Sequence, residues 1–328
     1  NVVASVVITC FNLQQYIGDA IDSVLCQDFR GCLEIVVVDD ASTDASVEVI
    51  ARYEGVRLIR MPSNSGVLLA TIAGIRHCTG DLIFFMDGDD LWMPQKIRLA
   101  VDIFSLNHDV GLVTHDIDFI GAGGESLKTT SSPCEVLARA ANPCEMVKRG
   151  ILNHLGCVWL GSAYGLRKSK VELAAFCRWA ESLPNSRETY QDWPLAYWCA
   201  SIGSVKCAYV HQVLMSYRVH GSNYSGDART VEKAIRNLRK GYFTAAAICK
   251  ICQARGIQGY SYWLSQGKEL YYLYMIDLYR GRRLWAGFRF AQLQPYFIAS
   301  SKPFLKEWAR FWAIFILGAE RFTLVFKD

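Results

Sequence analysis

From Ser5 to Met86 the chain alternates strand and helix signals without a break. Apolar, often β-branched runs at Ser5–Thr9, Glu34–Val38, Val56–Arg60 and Leu82–Met86 read as strands. Between them, Tyr16–Gln27, Ala45–Tyr53 and Val67–Cys78 read as helices, with helical spacing plainest at Ile17, Ala20, Ile21, Val24 and Leu25. This order predicts an α/β fold, a mostly parallel sheet with helices on both faces. Such sheets bind ligands outside the carboxyl ends of their strands. The polar residues at those ends are Thr9, Asn12, Asp39, Asp40, Asp87 and Asp89, which are expected to converge on one crevice.

The stretch Phe84-Phe85-Met86-Asp87-Gly88-Asp89-Asp90 ends an apolar strand in three carboxylates within four residues. Like charges that close repel, so the arrangement calls for a compensating cation. Hard divalent ions such as Mg²⁺ take oxygen ligands and bridge carboxylates to phosphates. A plain acidic turn is the competing reading, and its place at the end of a buried strand weighs against it. A second run, Val36-Val37-Val38-Asp39-Asp40-Ala41-Ser42-Thr43-Asp44, delivers Asp39 and Asp40 to the same crevice. A carboxylate there suits a nucleobase N–H or ribose hydroxyls, whereas Thr43 and Asp44 suit the cap of the next helix.

Composition narrows the alternatives. With 52% hydrophobic and 20% charged residues, the chain has the material for a large core. A net charge of +4 without a concentrated basic stripe argues against nucleic acid as a partner. Twelve cysteines lie mostly among apolar neighbours, and the one CxxC, Cys249 and Cys252, has no second pair at zinc-site spacing. Reduced thiols, and with them a cytoplasmic setting, are the expectation. No signal peptide is visible at the start, although a first residue other than Met points to missing upstream sequence. Phe311–Ala319, the most apolar stretch near the end, is far shorter than the ~20 residues of a membrane span. A nicotinamide dehydrogenase is a poor fit, because no GxGxxG follows the first strand.

Ser5-Val6-Val7-Ile8-Thr9-Cys10-Phe11-Asn12 with Tyr16-Ile17, Ala20-Ile21, Ser23-Val24-Leu25 and Gln27 resembles the opening of family 2 glycosyltransferases. So do Val38-Asp39-Asp40-Ala41-Ser42-Thr43-Asp44, Asn64-Ser65-Gly66 and Gly80-Asp81 followed by Asp87-Gly88-Asp89-Asp90. The likeness is nearly continuous over residues 4–98 and thins out by about residue 225. It implies a GT-A fold, a nucleotide-sugar donor, most often a UDP-sugar, and Mg²⁺ or Mn²⁺ held through the Asp-x-Asp motif. On the nucleotide side it places Thr9, Phe11, Asn12, Asp39, Asp40, Asn64, Gly66 and Asp87. Asp89 would hold the metal with Asp87, and Asp90 would approach the donor sugar. Thr71 departs from the family pattern, which often has a basic residue there.

Two later segments extend the resemblance. In Thr189-Tyr190-Gln191-Asp192-Trp193, Gln191-Asp192 resembles the family's acidic pair at a helix start, which supplies the catalytic base. Asp192 is also a plausible helix cap ahead of Pro194. Trp193 suits either a sugar ring or the core. Tyr217-Arg218-Val219-His220 resembles the closing segment, where His220 would complete the metal shell and Arg218 offset diphosphate charge. Trp159 is expected on the acceptor side.

The expected organisation is a catalytic domain over 1–229, with a nucleotide-sugar half (1–100) and an acceptor half (101–229), and a helical region over 230–328. Gly111–Ile120 reads as a further strand, Pro194–Ile202 as a helix and Ser204–Val219 as a strand pair. The tail interleaves aromatics and bases, as in Tyr279-Arg280-Gly281-Arg282-Arg283-Leu284-Trp285. That pattern suits the surface of an anionic membrane, and equally helix packing against the catalytic domain or a second subunit. The functional expectation is inverting transfer of a sugar to a hydroxyl of a glycan or lipid-linked glycan, peripheral to the inner face of the cell membrane if the tail docks there. Transfer to a polyprenyl phosphate and a non-catalytic nucleotide-sugar-binding module are the alternatives.

Overall fold

The computed structural model describes residues 3–127, 148–149, 151–152, 161–221, 230–299, 304–319 and 322. The chain divides into two compact units, one of Asn1–Arg187 with Gln191–His220, the other of Glu188–Tyr190 with Gly221–Asp328.

The first unit is built on an eight-stranded sheet. Its strands are β1 (Val3–Cys10), β2 (Cys32–Asp39), β3 (Val56–Arg60), β4 (Leu82–Asp87), β5 (Leu91–Trp92), β6 (Val110–Ile120), β7 (Gly165–Arg167) and β8 (Lys206–Arg218). Their order is β3-β2-β1-β4-β7-β6-β8-β5. The first four are parallel, and so are β6 and β8; β7 and β5 pair antiparallel with their neighbours. The chain therefore steps outward from β1 to β3 and returns to the other side of β1 for β4. That reversal opens a crevice at the carboxyl ends of β1 and β4. The register places Thr9 opposite Asp87 and Cys10 opposite Asp39.

Burial explains the alternation seen in the sequence. Ala4–Ile8 of β1 and Val36–Asp39 of β2 are buried on successive residues, as in strands covered on both faces. Helix α1 (Ile17–Leu25) turns Ile17, Ala20, Ile21 and Val24 into the core, while Leu25 is left exposed. Fully burying such a side chain contributes about 1.5–3 kcal/mol, enough to hold a nine-residue helix too short to persist alone. Helices α2 (Ser46–Ile50), α3 (Val67–His77), α4 (Lys96–Leu106), α5 (Leu173–Glu181) and α6 (Asp192–Ser201) also belong to the unit. The expected strand pair over Ser204–Val219 is instead one long strand, β8. Register shifts against β6 and the exposed residues His211–Val213 break its apolar pattern midway, which mimics a turn.

In the second unit, α7 (Val231–Ala254) opens with the Thr230 hydroxyl accepting from the Lys233 N–H at 3.1 Å. It is followed by α8 (Tyr260–Tyr279), α9 (Arg283–Gln292), α10 (Gln294–Ala299) and α11 (Phe304–Leu317). Tyr274, Phe290, Phe297 and Phe311 form an aromatic core, with Phe290 stacked on Phe311 at 4.5 Å and 7°. No disulfide joins the nine described cysteines. No helix among the described residues is long and apolar enough to cross a membrane.

Candidate functional site

At the end of β4 the chain must turn within a very small space. Gly88 donates its N–H to the Thr9 carbonyl at 2.9 Å, and a Cβ there would lie 2.8 Å from that same oxygen. Only glycine fits, so the Asp-Gly-Asp-Asp turn is clamped to the end of β1. The Asp87 N–H donates to the Ser162 hydroxyl at 2.8 Å. Asp87 Oδ1 accepts from Thr9 Oγ1 at 3.3 Å and from Gln191 Nε2 at 3.2 Å. Burial, then the neighbouring charge of Asp89, pushes the Asp87 carboxyl up to about 7. Asp90 is buried at 1% exposure, accepts from the Arg218 N–H, and leaves its Oδ2 without a partner. Burial and its two acidic neighbours hold its carboxyl well above the usual range.

Asp89 faces His220, with Oδ2 and Nε2 3.0 Å apart. The His220 ring lies 4.5 Å from that of Tyr16, and the Arg218 guanidinium sits 5.0 Å above the same Tyr16 ring. Arg218 donates to the Asp89 and Ala122 carbonyls and to Asp19, so the end of β8 is stitched across the acidic turn. A second buried cation lies behind that turn. Lys96, 1% exposed, bonds His115 Nε2 at 2.7 Å and the Ser162 carbonyl, and lies 4.3 Å from the Trp92 ring. Burial drives both the Lys96 and His115 pKa values well down.

The β2 end is organised differently. Asp39 accepts from the Ser42 N–H on both oxygens. Asp40 accepts from the Ser65 and Gly66 N–H groups at 2.7 and 2.8 Å, one on each oxygen. Gly66 needs its identity twice over, for φ of +86° and because a Cβ would meet the Arg187 carbonyl at 2.1 Å. Asn12, in the left-handed region at φ 55°, accepts from Thr43 and donates its N–H to Ser42, tying the β1 and β2 loops together. Phe11 beside it is 41% exposed, and Asn64 is half-buried. Thr71 turns its hydroxyl onto the Val67 carbonyl and is buried in α3.

Asp192 is the first residue of α6 and accepts from the Trp193 N–H at 2.9 Å. Through its neighbour Gln191 this helix start reaches the Asp87 carboxylate. Trp193 is half-buried on the same turn. Trp159 lies outside the described residues. The structure thus gathers Thr9, Asp87, Asp89, Asp90, Gln191, Arg218 and His220 around the β4 end, while Asn12, Asp39, Asp40, Asn64 and Gly66 line the β2 end. Tyr16, Ser162, Lys96 and His115 are participants that sequence reading missed. Tyr16 stood within a motif stretch, but nothing local marks a lysine or histidine as buried.

Among the described residues, no three His, Cys, Asp or Glu side chains form a ready-made metal cage. The donor set nevertheless fits a hard divalent ion, which binds through one or two carboxylates and fills its remaining positions with phosphate and water. Asp89 lies beside His220, and Asp87 and Asp90 stand on the same turn, with Asp90 Oδ2 unpartnered.

Residues 5–163 match the model of glycosyl transferase family 2. An uncharacterized glycosyltransferase of Nostoc sp. is 29% identical over 67% of this chain and 65% of its own length. An N-acetylglucosaminyltransferase of Mesorhizobium japonicum is 38% identical over 29% of this chain and 24% of its own. The chain therefore spans less than two thirds of the length of these relatives. Among solved structures, S. aureus TarS 1-349 in complex with UDP-GlcNAc is similar in fold, with a TM-score of 0.56, 14% identity and 88% of each chain covered. The sheet and its helices are those of a GT-A fold, and residues 5–163 belong to glycosyl transferase family 2.

Proposed function

We propose that this chain transfers a sugar from a nucleotide donor, with UDP the favoured carrier, to a hydroxyl of a glycan or lipid-linked glycan, inverting the anomeric centre. The observation that carries this reading is the Gln191–Asp87 contact, which brings the helix start bearing Asp192 to the acidic end of β4. The names of relatives agree with it: TarS was solved with UDP-GlcNAc, and another relative is an N-acetylglucosaminyltransferase.

In this reading Thr9, Phe11, Asn12 and Asp39 receive the nucleoside. Asp40 acts through the Asn64–Gly66 loop it braces. Asp87 and Asp90 border the ribose and donor sugar. A divalent cation, Mg²⁺ or Mn²⁺, when bound at Asp89 with His220 and Asp87, supplies neutralising charge for the departing diphosphate. Arg218 adds fixed positive charge while holding the acidic turn in place. Asp192 accepts the proton of the acceptor hydroxyl as its oxygen attacks the anomeric carbon opposite the phosphate. One displacement inverts that centre. Gln191 orients Asp87, and Trp193 offers a ring for the acceptor sugar. We assign residues 1–229 to this chemistry and 230–328 to a helical region outside it.

The test is calorimetric titration with UDP, GDP and dTDP, each with and without Mn²⁺. Metal-dependent UDP binding that disappears in Asp89→Ala is expected. Metal-independent binding, or none with any of the three, would sink the donor assignment.

A further inference from the structure

Helices α9 and α11 of the second unit touch through their side chains at two places. Phe290 stacks on Phe311 at one place, and Arg283 lies 5.2 Å from the Phe315 ring at another. One stripe of each helix completes the core: Ala286 and Phe290 from α9, Phe311 and Ile314 from α11. The remaining stripes stay large and apolar where solvent-facing helices are normally polar. Leu284 is 90% exposed, Trp285 61%, Phe288 58%, Trp312 45%, Ile316 70% and Leu317 40%. Six such residues on two helices joined through Phe290 and Phe311 exceed the scattered single exposures of an ordinary surface.

The charge around this face is mainly basic. Residues 277–320 contain seven Arg or Lys and three acids, Asp277, Glu307 and Glu320. Glu307 is buried and paired with Arg310, and Asp277 is buried and paired with Arg282 and Arg289. Arg282 and Arg283 are exposed beside Leu284 and Trp285. A second copy docking through the same face would set base against base. An anionic lipid surface satisfies both halves of the pattern: tryptophan, phenylalanine and leucine enter the headgroup–acyl boundary while arginines meet the phosphates. We propose that α9 and α11 form a docking face for an anionic membrane surface. This rests on the helical unit alone and not on the donor-site reading.

The test is flotation of the full chain with vesicles of phosphatidylcholine alone and of phosphatidylcholine with phosphatidylglycerol, at low and high salt. The expected result is flotation with the anionic vesicles only, weakened by salt. The double variant Trp285→Ser, Phe288→Ser should lose at least about tenfold in partitioning. Arg282→Ser and Arg283→Ser should each lose about fivefold. All four side chains are exposed, and circular dichroism with UDP titration checks that the variants keep their fold. Equal binding to neutral vesicles, or unchanged flotation of the variants, overturns the proposal. So does absence of flotation, including the case in which sedimentation shows a dimer that the aromatic variant dissociates.

Discussion

Asp87 sits in conflict with its surroundings. Its backbone is fixed by Ser162 and the end of β1, and its carboxyl accepts two hydrogen bonds, yet burial and Asp89 still raise it to about 7. A carboxyl near 3.8 when unfolded and near 7 when folded holds its proton more tightly in the folded state. Its contribution to stability is therefore complete below about pH 4 and is lost as the pH rises through about 7. Metal-free protein is expected to melt at progressively lower temperature across that interval, as far as this group is concerned. Asp87→Asn, which cannot ionise, should flatten that slope and raise the melting temperature above neutral pH while abolishing UDP binding. Scanning calorimetry over a pH series checks it, and an unchanged slope would assign the dependence to other groups. A site residue whose neutralisation stabilises the fold is one retained at a cost in stability.

Among the elements, α6 carries the sharpest distinction between structural and chemical roles. Asp192 Oδ1 accepts from the Trp193 N–H at the helix start, which an asparagine side chain reproduces with its amide oxygen. Asp192→Asn should therefore keep the helix and the UDP affinity while kcat falls about 10²–10⁴-fold for want of a base. Steady-state turnover beside calorimetric UDP binding separates the two, since a residue that only braces the first turn would leave kcat unmoved. The 64–66 loop is the opposite case, where backbone geometry alone decides. Gly66→Ala adds a Cβ into the Arg187 carbonyl at a left-handed φ. It should cost well over about 1 kcal/mol in urea unfolding, and weaken nucleotide binding through the loop that Asp40 braces. A variant as stable as wild type would mean that the loop relaxes freely around this position.

At the scale of the whole molecule, the two units were not equally legible. All four strands of the parallel half could be read: Asp39, Asp40, Asp87 and Asp89 interrupt apolar runs where β2 and β4 stop, Asn12 follows β1 in the same way, and the Val56–Arg60 run spans β3. The β5 pair Leu91–Trp92 and the three-residue β7 were not, being too short for any period to show. Lys96 and His115 were illegible for another reason: their burial is imposed by β6 and the 161–163 turn, distant in sequence. In the tail, aromatic and basic residues were visible as composition, but which of them face the core is settled only by helix packing. Each unit has its own hydrophobic cluster, one under the sheet and one among the tail helices. Nucleotide and cation bound at the β4 end should therefore protect chiefly the first. With UDP at about a hundred times its Kd and Mn²⁺ present, that unit gains about 2.7 kcal/mol. Calorimetry is expected to show one transition moving upward with UDP and a second, belonging to the tail helices, left in place. A single transition that moves as a whole would show that the helical unit unfolds only together with the sheet, and that binding at the acidic crevice stabilises the entire chain.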